Sequence, residues 1–328
     1  MKRWFNAADV PDDLESVVTI GVYDGVHRGH QAILNETIRQ ARARGVQAVV
    51  LTFAPHPATV HAPQTPMALI TSLEDRLDRL EAMGIDGVLV QQYTLKYASV
   101  SPEEFVTQQL CGVLGAQAVV VGKDVRFGAG NCADGDTLVA LGERYGFDVT
   151  LVDDLLADDG RRFSSSWIRQ LLAQGDVAGV AKVLGRPHRI VGEVRHGFQR
   201  GRELGFPTAN LYGDGLGEIP ADGVYAGWLI QRGPANTRVY LPAAISVGSN
   251  PQFSGEIRTV EAHVLGRSDL NLYGQTVAIE FVDRIRSMMT FDSLDGLLER
   301  MDEDLRQSAE ILGVPVSSRV DPTQVTAH

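Results

Sequence analysis

Cysteine is scarce in this chain: 328 residues carry two, Cys111 and Cys132. Two isolated thiols build neither a disulfide framework nor a zinc clamp, so both are expected to be reduced. No apolar run reaches the length of a membrane span. The opening residues, MKRWFNAADVPDD, lack the apolar stretch of a secretory signal, which makes the cytoplasm the expected location. Positive charge is also short. Lys plus Arg is 30 against 41 Asp plus Glu, a formal net charge of −11, which argues against nucleic acid and anionic membranes as partners. Small anionic substrates stay possible where local basic groups and helix ends hold them. What remains is the make-up of a globular protein, 44% hydrophobic, at a length that suits two domains.

In the first half, apolar runs recur at 17–22, 48–53, 87–93, 118–122 and 147–152, mostly uninterrupted Val, Ile and Leu. Strands buried on both faces of a parallel sheet read this way. Helical periodicity covers 31–44, 72–83, 102–114 and 137–145 between them, and Ser101-Pro102 followed by two glutamates opens one of these helices. The alternation predicts an α/β doubly wound domain, whose ligands bind beyond the carboxyl ends of the strands.

At that edge, after the first run, stands GVYDGVHRGH, Gly21 to His30. A strand, a glycine-containing turn and a helix start form an anion site, because backbone N–H groups and the helix dipole face the ligand. Gly25 and Gly29 let the backbone approach a phosphate. His27 and His30 can donate hydrogen bonds to its oxygens, and carry positive charge if the phosphate raises their pKa. The bland alternative is a loop with two solvated histidines. A metal site is the weaker reading, since no third ligand is obvious.

Three further segments compete with bland readings. Ala54-Pro55-His56-Pro57 follows the second run as a rigid corner. GKDVRFGAGN, Gly122 to Asn131, offers Lys123, Asp124 and Arg126 among glycines, or is a surface turn. RRFSSSWIR, Arg161 to Arg169, places serines before an apolar-periodic helix. They either cap that helix or, with Arg169, grip a polyphosphate.

Near Gly185 the pattern changes. Strand-like runs at 190–194, 223–230, 239–247, 259–265 and 276–282 follow without an intervening helix until the amphipathic 293–312. This predicts a closed antiparallel barrel with a helix packed outside it, the helix serving as scaffold. The dense segment is GFQRGRELGFPTANL, Gly197 to Leu211. Arg200 and Arg202 suit phosphate, and Thr208 and Asn210 supply the hard oxygen donors that suit Mg²⁺. It lacks the GK[ST] ending of a Walker A loop. In TVEAHVL, alternation puts Glu261 and His263 on one strand face and Val260, Ala262 and Val264 on the other. Such a glutamate is either a solvated outer residue or a base.

GVYDGVHRGH resembles the GxFDGxHxGH signature of bacterial bifunctional riboflavin kinase/FMN adenylyltransferases, also called FAD synthetases, with Tyr23 where Phe is usual. The later loops resemble that family's TFDPHP, GxNFxFG and RxSSTxIR in the same order. GRELGFPTAN, VEAH, GVYAG and SVGSNPQF resemble its kinase module. Ala54, Val125, Ser166, Gln252, Gly266 and Asn271 depart from the usual residues, and Val125 removes an aromatic face from the flavin-side loop. The resemblance implies a Rossmann-like, HxGH-type nucleotidyltransferase over 1–185. It implies a β-barrel riboflavin kinase with a C-terminal helix over 186–316, and a disordered tail over 317–328. It assigns adenylyl transfer to His27 and His30, and ATP or phosphate binding to Gly25, Gly29, Arg162, Ser164, Ser165, Arg169, Arg202, Thr208 and Asn210. Flavin binding falls to His56, Asp124 and Phe127, Mg²⁺ to Thr208 and Asn210, and the general base of the kinase to Glu261. The implied substrates are riboflavin, FMN and ATP. The alternatives are a paralogue with one working module, more readily the kinase, and a flavin-binding regulatory protein without turnover.

Overall fold

The computed structural model describes residues 1–65, 67–196, 205–213, 215–233, 237–249 and 258–320. The chain divides into two compact units, Met1–Met67 with Leu73–Ser164, and Ala68–Ser72 with Ser165–His328.

The first unit is built on strands β1 (Lys2–Trp4), β2 (Ser16–Ile20), β3 (Gln47–Ala54), β4 (Gly87–Gln92), β5 (Ala116–Gly122) and β6 (Asp148–Val152). Their order is β1-β4-β3-β2-β5-β6, and every pair is parallel. The helices are α1 (Arg28–Arg44), the short α2 (Pro57–His61), α3 (Leu73–Met83), α4 (Leu95–Ala98), α5 (Pro102–Glu104) and α6 (Gly135–Tyr145); α5 runs on into a π-helical stretch, Phe105–Val113. The uninterrupted apolar runs have the predicted cause. Val18, Val49, Leu51, Leu89 and Val119 enter one core, while Val17, Val50, Val88, Val90 and Val120 enter the core on the opposite face. Chain order reverses between β2 and β5, so the loops leaving these two strands flank a topological switch point, where ligands of such sheets bind. Strand β1 was not anticipated, because three residues with one apolar member carry no readable period. Its Trp4 lies on Gly87, where a Cβ would stand 2.5 Å from the indole.

The second unit starts with α7 (Ser165–Gln174) and α8 (Val177–Leu184). A sheet follows, of β7 (His188–Glu193), β8 (Ala209–Tyr212), β9 (Gly223–Arg232), β10 (Arg238–Ser249), β11 (Arg258–Val264) and β12 (Thr276–Arg286). Helix α9 (Leu294–Leu312), capped by Ser293, comes last. The strand order is β7-β12-β9-β10-β11-β8, with antiparallel pairing throughout. The expected closed barrel is a curled half-barrel. Among the described residues its outer strands meet through a single bridge, Arg195 opposite Asn210. Four-residue β8, inside a Gly- and Pro-rich segment, had no strand signal. Helices α7 and α8 belong to this compact unit, so the compact division at 164/165 precedes the composition change at 185. Residues 317–320 of the expected disordered tail are placed, with the Val320 amide donating to the Gly205 carbonyl at 3.1 Å.

Candidate active sites

The loop after β2 turns sharply. Tyr23, Gly25 and Val26 have φ of 55°, 83° and 43°, left-handed values that a Gly at position 25 adopts at no steric cost. Buried Tyr23 anchors the turn, its hydroxyl 2.5 Å from Thr19 Oγ1. His27 caps α1: its Nδ1 accepts from the His30 amide at 3.3 Å. The His27 and His30 rings stack at 3.6 Å between centroids, and Tyr23 meets His30 edge-on at 5.1 Å. Gly29 has little room for a side chain. A Cβ there would stand 3.2 Å from the His27 ring and 3.3 Å from the Phe163 carbonyl oxygen.

Two of the predicted loops reach this corner. Phe163 lies under the Arg28 guanidinium, 5.4 Å from it, which holds the 162–164 segment against the start of α1. Arg162 pairs with Asp124 of the loop after β5 and with Asp154 at 3.3 Å. Burial pushes the His30 pKa well below its ordinary value, and the charges of His27, Arg162 and Arg76 add to that. The ligand-free imidazole is therefore neutral at neutral pH. The positive charge considered from sequence requires a bound anion to raise its pKa. The buried Nδ1 of His30 has no partner among the described residues.

The other predicted residues divide. The His56 Nδ1 accepts from the Ala58 amide at 3.0 Å, capping α2. Phe127, 7% exposed, packs tilted on Phe105 and lines up with Ala133, so its ring serves the core. Ser164 closes the first unit. Ser165 and Arg169 belong to α7 in the second, where Arg169 donates to the Ala68 carbonyl at 3.3 Å. Arg200 and Arg202 lie outside the described residues.

Sequence reasoning missed two features of the first unit. One is Arg76, a fully buried arginine on the apolar side of α3. It donates to the Val22 carbonyl at 2.5 Å and to the Phe53 carbonyl at 3.4 Å, tying the ends of β2 and β3 together. Asp24 is the negative charge that favours its ionised form, against the cost of burial. A signal existed: Arg76 interrupts the apolar face of Leu73, Leu77 and Leu80. The other is an aromatic cluster at the same sheet edge. Tyr93 sits edge-on to Phe53 at 5.6 Å and to Tyr97 at 5.9 Å.

The second unit holds a cavity of about 260 Å³, whose wall includes Phe206, Thr208, Glu261, His263, Met288 and Met301. The face of β11 carrying Glu261 and His263 does not point to solvent. Helix α9 covers that side and contributes Leu297, Met301, Asp304 and Leu305 to the wall, so it builds the site as well as the scaffold. Burial raises the Glu261 carboxyl above its ordinary pKa, and a hydrogen bond with Thr208 partly offsets this. Asn210, paired with Glu261 across the β8–β11 ladder, donates from Nδ2 to the Thr208 carbonyl and hydroxyl oxygens, both at 3.1 Å. Arg286 is bound to buried Asp304 through Nη2 at 2.7 Å, a tie between β12 and α9.

A nucleotidyltransferase-type α/β unit that carries an HxGH loop, followed by a kinase-type half-barrel with a partly buried acid, defines the class. The FAD synthetase family matches residues 9–167, and the riboflavin kinase family matches 184–312. Similar relatives include the bifunctional riboflavin kinase/FMN adenylyltransferase of Escherichia coli strain K12, 34% identical over 91% of this chain and 93% of the relative. The protein of the same description from Bacillus subtilis is 33% identical over 90% of this chain and 92% of its own. A solved Streptococcus pneumoniae structure, described as a macrolide-efflux protein, superposes with a TM-score of 0.81 at 30% identity, covering 93% of this chain and 97% of that one. Among the described residues no helix is long and apolar enough to cross a membrane. The chain belongs to the bifunctional riboflavin kinase/FMN adenylyltransferase family.

Proposed function

We infer that this protein converts riboflavin to FMN and FMN to FAD, both with ATP, the kinase step in 186–316 and the adenylylation in 1–185. The observation that carries the reading is the pairing of a partly buried carboxylate, Glu261, with Thr208 on the wall of a largely apolar cavity. That is the environment a flavin and a general base require. In the kinase step Glu261 takes the proton of the ribityl 5′-hydroxyl as that oxygen attacks the γ-phosphorus of ATP and ADP departs. A raised pKa suits a base that works near neutrality.

The FMN phosphate is already an anion, so adenylylation needs no base. It attacks the α-phosphorus of ATP and expels pyrophosphate. His27 and His30 donate to the phosphate oxygens, and their fixed stacking spares reorganisation during the reaction. Arg162 and Ser164 bring further donors to the same corner. We assign the flavin ring to the Phe53, Tyr93 and Tyr97 surface near His56, which supplies the aromatic face that Val125 lacks.

Thr208 Oγ1 and Asn210 Oδ1 are neutral hard oxygens, a donor set that fits a Mg²⁺ carried largely by ATP phosphates and water. Among the described residues no group of three or more His, Cys, Asp or Glu side chains converges as a metal cage. When bound, Mg²⁺ would neutralise phosphate charge.

The test is chromatographic. Incubation with Mg-ATP and riboflavin, and separately with Mg-ATP and FMN, should yield FAD in both. FMN accumulating from riboflavin, with no FAD from either incubation, would leave only the kinase.

A further inference from the structure

We propose that His263 is a substrate-positioning residue of the kinase cavity, its Nε2 accepting a hydrogen bond from a hydroxyl of the ribityl chain. The inference rests on the reading of this cavity as the riboflavin site. His263 is 4% exposed and lines the cavity together with Glu261. Its Nδ1 lies 2.9 Å from the Pro207 carbonyl oxygen. A carbonyl only accepts, so Nδ1 carries the proton and Nε2 presents a bare lone pair. Burial lowers the pKa of this ring, which keeps the second proton off. Nε2 is buried and has no partner among the described residues. Phe206 meets the ring edge-on at 5.5 Å between centroids, so its orientation is fixed by packing on one side and by Pro207 on the other.

A buried acceptor of this kind is stabilised by a donor brought in by the ligand. Placement selects which donor. His263 follows Glu261 by two residues on the same face of β11, and same-face neighbours lie roughly 7 Å apart along a strand. With Glu261 at the reacting 5′-hydroxyl, a hydroxyl a few carbons up the polyol falls within reach of His263. The remaining ionic groups on the wall, Arg286 and Asp304, are engaged with each other.

The test uses the full-length protein and two ligands, riboflavin and lumiflavin, the same ring without the ribityl chain. His263→Asn retains an amide N–H for the Pro207 carbonyl and removes the Nε2 acceptor, whereas His263→Gln keeps an acceptor at that reach. Binding is read by flavin fluorescence, and turnover by FMN formation. His263→Asn should raise the riboflavin Kd and KM about tenfold. It should leave lumiflavin binding and the KM for Mg-ATP unchanged, and His263→Gln should recover part of the loss. Equal weakening of both flavins would overturn the proposal in favour of a structural role. Unchanged riboflavin binding would overturn it as well, assigning Nε2 to a water only. Glu261→Gln, run in parallel, should bind riboflavin and fail to phosphorylate it. Turnover by that variant would sink the general-base reading separately.

Discussion

The two sites handle charge in opposite ways. At the β2 corner the titratable group, His30, is driven down by burial and neighbouring cations and stays neutral. In the half-barrel the titratable group, Glu261, is driven up by burial. The first environment suits donation to an anion that arrives already charged. The second suits removal of a proton from a hydroxyl, which is a poor nucleophile until it loses one. Desolvation acts on both, and its direction follows from which protonation state carries the charge.

The sharpest way to break this contrast is Glu261→Ala. Loss of a positioned general base should lower riboflavin phosphorylation by about 10²- to 10⁴-fold and spare FMN adenylylation, measured separately on each substrate. His30→Ala should do the reverse, with a loss of about 10²-fold or more expected of an electrostatic donor. Either variant losing both activities equally, while still folded, would end the two-site division. Arg76→Met comes next. It removes the donor shared by the Val22 and Phe53 carbonyls, leaving Val22 with Thr52 Oγ1, and takes away the positive charge that Asp24 favours, so thermal unfolding should show a loss of about 3 kcal/mol. Adenylylation should fall more than kinase activity.

Gly29→Ala should have a smaller effect, crowding the His27 ring and the Phe163 carbonyl and reducing adenylylation with the kinase unchanged. The pH dependence is the subtlest test. Kinase kcat/KM should fall on the acid side with a midpoint above the ordinary glutamate value of 4.5, because the working form of Glu261 is deprotonated. The same raised pKa makes ionised Glu261 unfavourable to folding. Glu261→Gln should therefore be more stable than the parent above that midpoint. The gap should close as pH falls below the ordinary glutamate value. A midpoint at or below 4.5 would mean Glu261 is not desolvated in solution.

Much of the first unit was legible in the sequence because a sheet buried on both faces needs uninterrupted apolar strands, and the chain writes them so. The HxGH loop was legible because its glycines and histidines fall within one stretch of ten residues, Gly21 to His30. Arg76 was not, since its role depends on the ends of β2 and β3 being adjacent, and these lie far from it in the chain. The packing of Phe127 on Phe105 was not legible either, because an aromatic in a glycine-rich loop reads the same whether its ring meets a ligand or a core neighbour.

The second unit shows the limit more plainly. Alternation put Glu261 and His263 on one face of β11 but could not say what covered that face. The amphipathic pattern of α9 is the same whether its apolar side closes a core or lines a cavity. By itself, then, the sequence determined most of the strands and helices and their order, the two chemistries and the family, because these rest on local period and contiguous motifs; the short β1 and β8 carry too few residues to show a period. The tertiary structure alone decided that Arg162 meets Asp124, that Arg76 braces the HxGH corner, and that α9 lines one cavity with Glu261 and His263. Those outcomes depend on contacts between residues far apart in the chain, and burial, which sets the titration of both sites, exists only once those contacts form.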